Sequence, residues 1–230
     1  MAAKFLKPFR FGRNVLAFVT TCQAGNLSLF IGDDPKKVTA NRNKLAKALS
    51  IPPSRLISAE QVHKNKVAII KRLPVSLRSI DAMVTDQPGL CLMITTADCV
   101  PILLYDPRRK VIGVAHAGWR GTALKIAQKT VKTMQKKFGS KPKDINVGMG
   151  PSIGPCCYEV GPEVSRKFGR SGKSHIDLCG ENKSQLVKAG IPSRNIRIMD
   201  ICTKCNSRRF FSARASKGPT GRFAAGIMLI

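Results

Sequence analysis

Three histidines and eight cysteines are the imidazole and thiol groups available to this 230-residue chain. Their placement is uneven. His63 closes Gln61-Val62-His63, Cys99 closes Ala97-Asp98-Cys99, and His116 opens His116-Ala117-Gly118-Trp119-Arg120-Gly121. Two imidazoles and one thiolate are the donor set of a catalytic zinc site whose fourth position stays open. The same residues also suit a cysteine–histidine pair in which the imidazole takes the thiol proton and the sulfur attacks. Either chemistry makes the chain an enzyme. Taken singly, a histidine in a turn is more often a hydrogen-bonding residue, and a lone cysteine a small buried apolar one. Their shared setting among small residues is what singles these three out.

The surrounding elements say how they are positioned. His116 follows an apolar run at 111–115 and precedes small residues and a helix, so it sits at a strand–turn–helix junction. Small residues there let backbone and ligand approach closely. Free N–H groups at the helix start, with the Arg120 cation, suit an anion such as phosphate. Cys99 follows the run 90–95, and Pro101 comes two residues later. If neighbouring strands carry Cys99 and His116, their side chains meet at one sheet edge, and His63 must arrive from a third turn. Asp98, beside Cys99, is placed to orient a ligand histidine or to move a proton. Trp119 reads as a pocket wall, and His175 as a structural residue.

Strands are expected at 14–20, 67–71, 81–85, 90–95, 101–105, 110–115, 145–149, 195–199 and 222–230, from their apolar, β-branched composition. Asp33-Asp34-Pro35 starts a helix over 36–48, with acids and Pro at its N-terminus. The clearest helix is 121–137, where Ala123, Ile126, Ala127, Val131 and Met134 share one face opposite lysines. Shorter helices are expected at 162–168 and 182–189. Strand pairs mixed with helices favour α+β, or a layered α/β/α arrangement, in a single domain over 1–230.

Composition bounds the partners. There are 40 Lys+Arg against 13 Asp+Glu, a formal charge of +27. That raises the prior for an anionic partner, but the cations are dispersed along the chain and aromatics are few, so no specific nucleic acid is expected. No apolar run spans a bilayer, and the basic N-terminus lacks the apolar core of a secretory signal. The expectation is a cytoplasmic protein, a monomer or weak homodimer, with reduced thiols rather than a disulfide framework. Adjacent Cys156 and Cys157 are not expected to bond to each other. Cys202 and Cys205 form a C-x-x-C for which no second pair at zinc-ribbon spacing is seen, so a structural or incidental role is expected.

Four ordered motifs carry a resemblance across nearly the whole chain. Gln61-Val62-His63, Thr95-Thr96-Ala97-Asp98-Cys99-Val100-Pro101, His116-Ala117-Gly118-Trp119-Arg120-Gly121 and Gly150-Pro151-Ser152-Ile153-Gly154-Pro155-Cys156-Cys157-Tyr158-Glu159-Val160 resemble the signatures of the multicopper polyphenol oxidoreductase (laccase)-type family, now described as purine nucleoside phosphorylases with adenosine deaminase activity. Gly32-Asp33-Asp34-Pro35 with Asn41-Arg42, Cys202-Thr203-Lys204-Cys205-Asn206 with Phe210-Phe211-Ser212, and Gly221-Arg222 support it. The resemblance implies a layered α/β/α fold likened to cytotoxic-factor cysteine hydrolases. It implies His63, Cys99 and His116 as metal ligands and catalytic residues, with zinc as the metal. It implies phosphorolysis of adenosine, inosine, guanosine and methylthioadenosine, and deamination of adenosine at C6. Arg120, with Arg42 and Asn41, would hold substrate or phosphate, and Asp98 would assist. Copper is disfavoured, because His-x-His pairs are absent. The chain departs from the family pattern at Cys22, where an Arg is usual, in a shortened loop expected to wall the pocket, and at Lys64, where glycine is common. Two rivals remain: a metal-independent Cys99–His116 amide hydrolase, for example in peptidoglycan precursor editing, and a basic nucleic-acid-binding protein.

Overall fold

The computed structural model describes residues 4–73, 77–216 and 218–230. Strands β1 (Leu6–Phe9) and β2 (Val15–Thr20) pair antiparallel and lead to helix α1 (Pro35–Ala48). Then come β3 (Leu56–Ile57), β4 (Val67–Ile69), β5 (Ala82–Thr85), β6 (Cys91–Thr96), β7 (Val100–Asp106) and β8 (Val111–Ala117). Helices α2 (Trp119–Ala123) and α3 (Ile126–Phe138) follow. The chain closes with β9 (Asn146–Met149), β10 (Glu159–Val160), α4 (Pro162–Ser165), β11 (Ser174–His175), α5 (Leu178–Lys188), β12 (Ile196–Ile198) and β13 (Phe223–Leu229).

The strands make a five-stranded sheet ordered β1-β2-β13-β6-β3, a six-stranded sheet ordered β12-β9-β7-β8-β5-β4, and the small ribbon β10-β11. The large sheets pack face to face. Val19, Leu92, Ile94 and Ile227 of the first meet Met83, Leu103, Ile112 and Val114 of the second. Helices cover the outer faces: Leu45 and Ala46 of α1 lie on the first sheet with Phe18 and Met93, while Ile126, Val131, Met134 and Leu186 of α3 and α5 lie on the second with Ile102, Leu104 and Ala115. The layered α+β architecture is present, and its middle layer is a pair of sheets. Strands covered on both faces have no polar side to show, which is why all seven residues of β7 and of β8 are buried.

The helix expected over 121–137 is broken. Lys125 takes the left-handed conformation, with φ of 59°, between α2 and α3. The break frees carbonyls from the helical ladder, and side chains capture them. Asn65 Nδ2 donates to the Leu124 carbonyl and Gln185 Nε2 to that of Thr122, each at 2.9 Å. A short α2 is thereby pinned over the turn that carries His63. β1, β3 and β10 lack a readable period and are not expected from the sequence, whereas β11 falls in the segment 174–178 that reads as a strand or helix entry. Among the described residues, no helix is long and apolar enough to cross a membrane.

Candidate metal centre and active-site cavity

The fold brings the three sequence-selected donors together. One ligand atom from each of His63, Cys99 and His116 lies within 4.8 Å of the others, a grouping that could hold a metal ion. The β7–β8 register explains half of this. Pro101 stands opposite His116 and Val100 opposite Ala117, so Cys99, one residue before β7, reaches the level of the residues that follow His116. Cys99 also lies where the chain crosses from one sheet to the other, in the three-residue link between β6 and β7. Thr96 Oγ1 closes that link on the Cys99 carbonyl at 2.8 Å, and Asp98 adopts φ of 90° within it.

His63 arrives from the loop between β3 and β4. Gln61 holds this loop to β6 with its amide group, accepting the Thr95 N–H and donating to the Thr95 carbonyl, each at 2.8 Å. His63 has φ of 58°, a left-handed turn that aims consecutive N–H groups inward. Those of His63 and Lys64 donate to Asp81 at 2.9 and 2.8 Å, and that of Val62 at 3.3 Å. Such a concavity binds an anion, and here the anion is a side chain of the protein. Asp81 Oδ1 also lies 3.0 Å from His116 Nδ1. With a proton on Nδ1 shared towards Asp81, Nε2 of His116 is free to act as ligand or base. The orienting carboxylate is therefore Asp81, which sequence reasoning placed only as a strand residue. Its signal was an acid directly ahead of the apolar run 82–85.

Asp98, expected to orient a histidine or move a proton, is engaged elsewhere. Its Oδ1 accepts the Thr203 hydroxyl at 2.6 Å and its Oδ2 the Arg214 N–H at 2.7 Å. It ties two distant loops to the Cys99 link.

Electrostatics follow from this packing. Burial disfavours the Cys99 thiolate, yet His116 and His63 prevail and bring the thiol down to about 6. Burial likewise opposes the imidazolium of His116, but Cys99 and Asp81 hold it up at about 9. Burial works against the Asp81 carboxylate too, and His116 with the backbone donors still keeps it below its ordinary value. A thiol this acidic at neutral pH is ready to bind a metal, or to attack.

The donors open into a cavity of about 650 Å³ walled by Phe30, Gln61, Thr95, Trp119, Tyr158, Arg214 and Arg222 among others. Among the described residues, the arginines and lysines of its wall are Arg214 and Arg222. Arg222 donates to the carbonyls of Thr220 and Gly221 at 2.8 and 3.0 Å, and Arg214 to that of Glu159 at 2.9 Å while lying over the Tyr158 ring. Burial, with the charge of Cys99, pushes the Tyr158 phenol up to about 12.

The expected anion holders fall elsewhere. Arg120 is exposed, its guanidinium 4.2 Å from the Trp119 ring centroid, and it is not part of the cavity lining. Arg42 and Asn41 are fixed by α1 away from the cavity. Arg42 donates to the Leu27 and Leu56 carbonyls at 3.2 and 3.3 Å, and Asn41 to that of Asn26 at 3.0 Å. Nor does Cys22 wall the pocket. It sits in a short 3₁₀ turn with its thiol on the Arg208 carbonyl, and this part of the chain reaches the cavity through Ser28, Phe30 and Ile31 instead. Trp119 is a cavity wall as expected, and exposed His175 bonds to the Pro155 carbonyl.

Gly118 gives a sharp test of the geometry. A Cβ there would lie 2.8 Å from Cys99 Sγ and 3.1 Å from His63 Cδ2, while the backbone at φ −72° accepts any residue. Gly118→Ala is expected to displace the donors without backbone strain. It should lower stability by about 1–3 kcal/mol and weaken metal binding, both readable by a zinc titration alongside a denaturant curve.

Fold and donors together define a two-sheet α+β protein with a histidine–cysteine–histidine cluster that could hold a metal ion at a sheet crossover. The sequence profile of the family described as multi-copper polyphenol oxidoreductase laccase matches residues 15–230, and the chain belongs to that family. A purine nucleoside phosphorylase of Bacteroides thetaiotaomicron is 36% identical, over 94% of this chain and 92% of that protein. An adenosine deaminase, RL5, from an unknown prokaryotic organism is also 36% identical, over 94% and 88%. Among solved structures, a hypothetical protein YfiH of Bacillus licheniformis superposes with a TM-score of 0.94 at 33% identity, covering 99% of this chain and 97% of that one. YlmD of Geobacillus stearothermophilus does so with 0.89 at 34% identity, covering 94% and 92%.

Proposed function

We propose that this chain, as a single domain over residues 1–230, is a zinc-dependent purine nucleoside phosphorylase that also deaminates adenosine. The observation that carries the reading is the His63–Cys99–His116 donor set, braced by Asp81 and open to a cavity with two arginines. Two nitrogens and one acidic thiol fit zinc, and no further histidine is grouped with them among the described residues. Zinc held by His63, Cys99 and His116 would supply Lewis acidity to a bound oxygen or ring nitrogen.

The chain's own groups account for the rest. Arg214 and Arg222 take the phosphate oxygens by charge-assisted hydrogen bonds, and Arg120 adds field from outside the lining. Trp119 and Phe30 offer apolar faces to the purine. The Tyr158 phenol stays protonated at neutral pH and donates to a purine nitrogen as the glycosidic bond lengthens. Asp81, bonded to Nδ1 of His116, holds that ring in the orientation that leaves Nε2 for the metal. Small nucleosides and phosphate, rather than nucleic acid, fit a cavity of this volume. A cytoplasmic monomer or weak homodimer belongs to the same reading.

A second reading is favoured by one observation, the Cys99 thiol at about 6 beside His116 at about 9. That is the ion pair of a cysteine hydrolase. Turnover of adenosine and inosine, with and without phosphate, in zinc-loaded and chelator-stripped protein separates them. Free purine base formed only with phosphate, inosine formed from adenosine, and loss of both on chelation are expected. Turnover of an amide by stripped protein would establish the hydrolase instead.

A further inference from the structure

A second sulfur cluster lies outside this site. Cys156, Cys157, Cys202 and Cys205 each place a thiol within 4.8 Å of the others, and all four are free. Sequence spacing hides the group. Cys157 and Cys205 are 48 residues apart, and two adjacent cysteines have no zinc-ribbon spacing, so the second pair for the C-x-x-C went unseen.

Local structure gathers the four. In an extended chain, adjacent side chains point to opposite faces. Here Cys156 and Cys157 lie in a turn closed by the Cys157 and Tyr158 N–H groups on the Gly154 carbonyl, each at 3.0 Å. The C-x-x-C is likewise coiled, with Asn206 N–H on the Cys202 carbonyl at 3.0 Å. A bridge between Ser152 and Cys202 joins the two turns. Gly154 leaves the space they need, since a Cβ there would come within 3.3 Å of both Cys156 Sγ and Cys202 Cβ.

We propose that these four cysteines bind a structural zinc ion. Sulfurs around zinc at 2.3 Å stand about 3.8 Å apart in a tetrahedron. The Cys156–Cys205 and Cys157–Cys205 sulfurs are 3.8 and 3.4 Å apart. The Gly154 N–H points at Cys202 Sγ from 3.3 Å. Backbone donors of this kind stabilise metal-bound thiolates. Cys156 and Cys205 are exposed, which gives the ion an entry path. Binding displaces the four thiol protons to solvent and leaves a dianionic complex, in a chain of net charge +27. Its role follows from its neighbours. Thr203, between two of the ligands, holds Asp98, and Tyr158, next to Cys157, walls the cavity. The ion fastens two loops that shape the active site.

The test uses the full chain carrying Cys99→Ser, so that the outcome does not depend on the proposed activity. Protein purified under reductant is loaded with Zn²⁺ or Co²⁺ and its metal content measured. One equivalent per chain is expected, with the intense visible bands of tetrahedral thiolate-bound cobalt. Adding Cys205→Ser should abolish it, and adding Cys22→Ser should not. Should the Cys205→Ser protein fail to fold, iodoacetamide labelling of the Cys99→Ser parent replaces it: zinc should protect Cys156 and Cys205. No bound metal, metal retained in folded Cys205→Ser, thiols unprotected by zinc, or disulfides formed while zinc is present would each overturn the proposal.

Discussion

Replacing Asp81 with Ala is expected to be the most damaging single change to the site. The carboxylate is fully buried and serves three backbone donors of the His63 turn as well as the His116 ring. Its loss leaves those groups without an acceptor and removes one partner of a buried pair, which costs about 3–5 kcal/mol. On the proposed zinc reading, affinity for the ion should fall about 10–100-fold, because His116 loses its orienting partner. Denaturant unfolding and competitive zinc titration read the two effects separately. The carboxylate also sets an acid limit. Its folded pKa lies below the ordinary value, so its contribution is present above the unfolded value of about 4 and is lost as pH falls through the folded one. The stability curve of Asp81→Ala should therefore be flatter on its acid side. An unchanged zinc affinity would show that the His63 turn holds its shape without Asp81.

The second large effect is expected at Asp98, where two substitutions part company. Asp98→Ala strands the Thr203 hydroxyl, which is buried, and the Arg214 N–H. Each unmade bond costs about 1–3 kcal/mol, and the loops carrying Thr203 and Arg214 lose their anchor, so kcat/KM should fall with stability. Asp98→Asn can keep the left-handed backbone and turn its amide oxygen to the Arg214 N–H while the Thr203 hydroxyl reorients. Most stability and activity should survive. A stable Asp98→Asn protein with kcat abolished would instead make Asp98 a proton carrier. Thermal melts and pH–rate profiles of both variants decide it.

These two acids show what could be read from sequence and what could not. Strands covered on both faces gave long apolar runs, so β6, β7 and β8 were legible, as was α1 from its Asp-Asp-Pro start. The break at Lys125 was not, because it depends on Asn65 and Gln185 reaching in from distant elements. His63, Cys99 and His116 were singled out by residue type and small neighbours, and the fold gathers them. Their supports were hidden, because a carboxylate's partner is decided by register and not by adjacency. Asp98 stands next to a donor and braces loops, whereas Asp81 lies 35 residues from His116 and binds it. Arg120 sits in a motif yet faces solvent, while Arg214 and Arg222 enter the cavity from the C-terminal part of the chain.

The crossover at Cys99 has a wider consequence. Two of the site's three donors, His63 and Cys99, lie in links between the sheets and His116 lies in a strand of one of them, so a metal ion bound there would rivet the two sheets, and the free energy of binding would also be free energy of folding. On the proposed zinc reading, the amount of intact protein would then follow metal supply. Scarcity would thin the population of folded chains as well as silence them, and sequence drift in the inter-sheet packing would be tolerated best where zinc is plentiful.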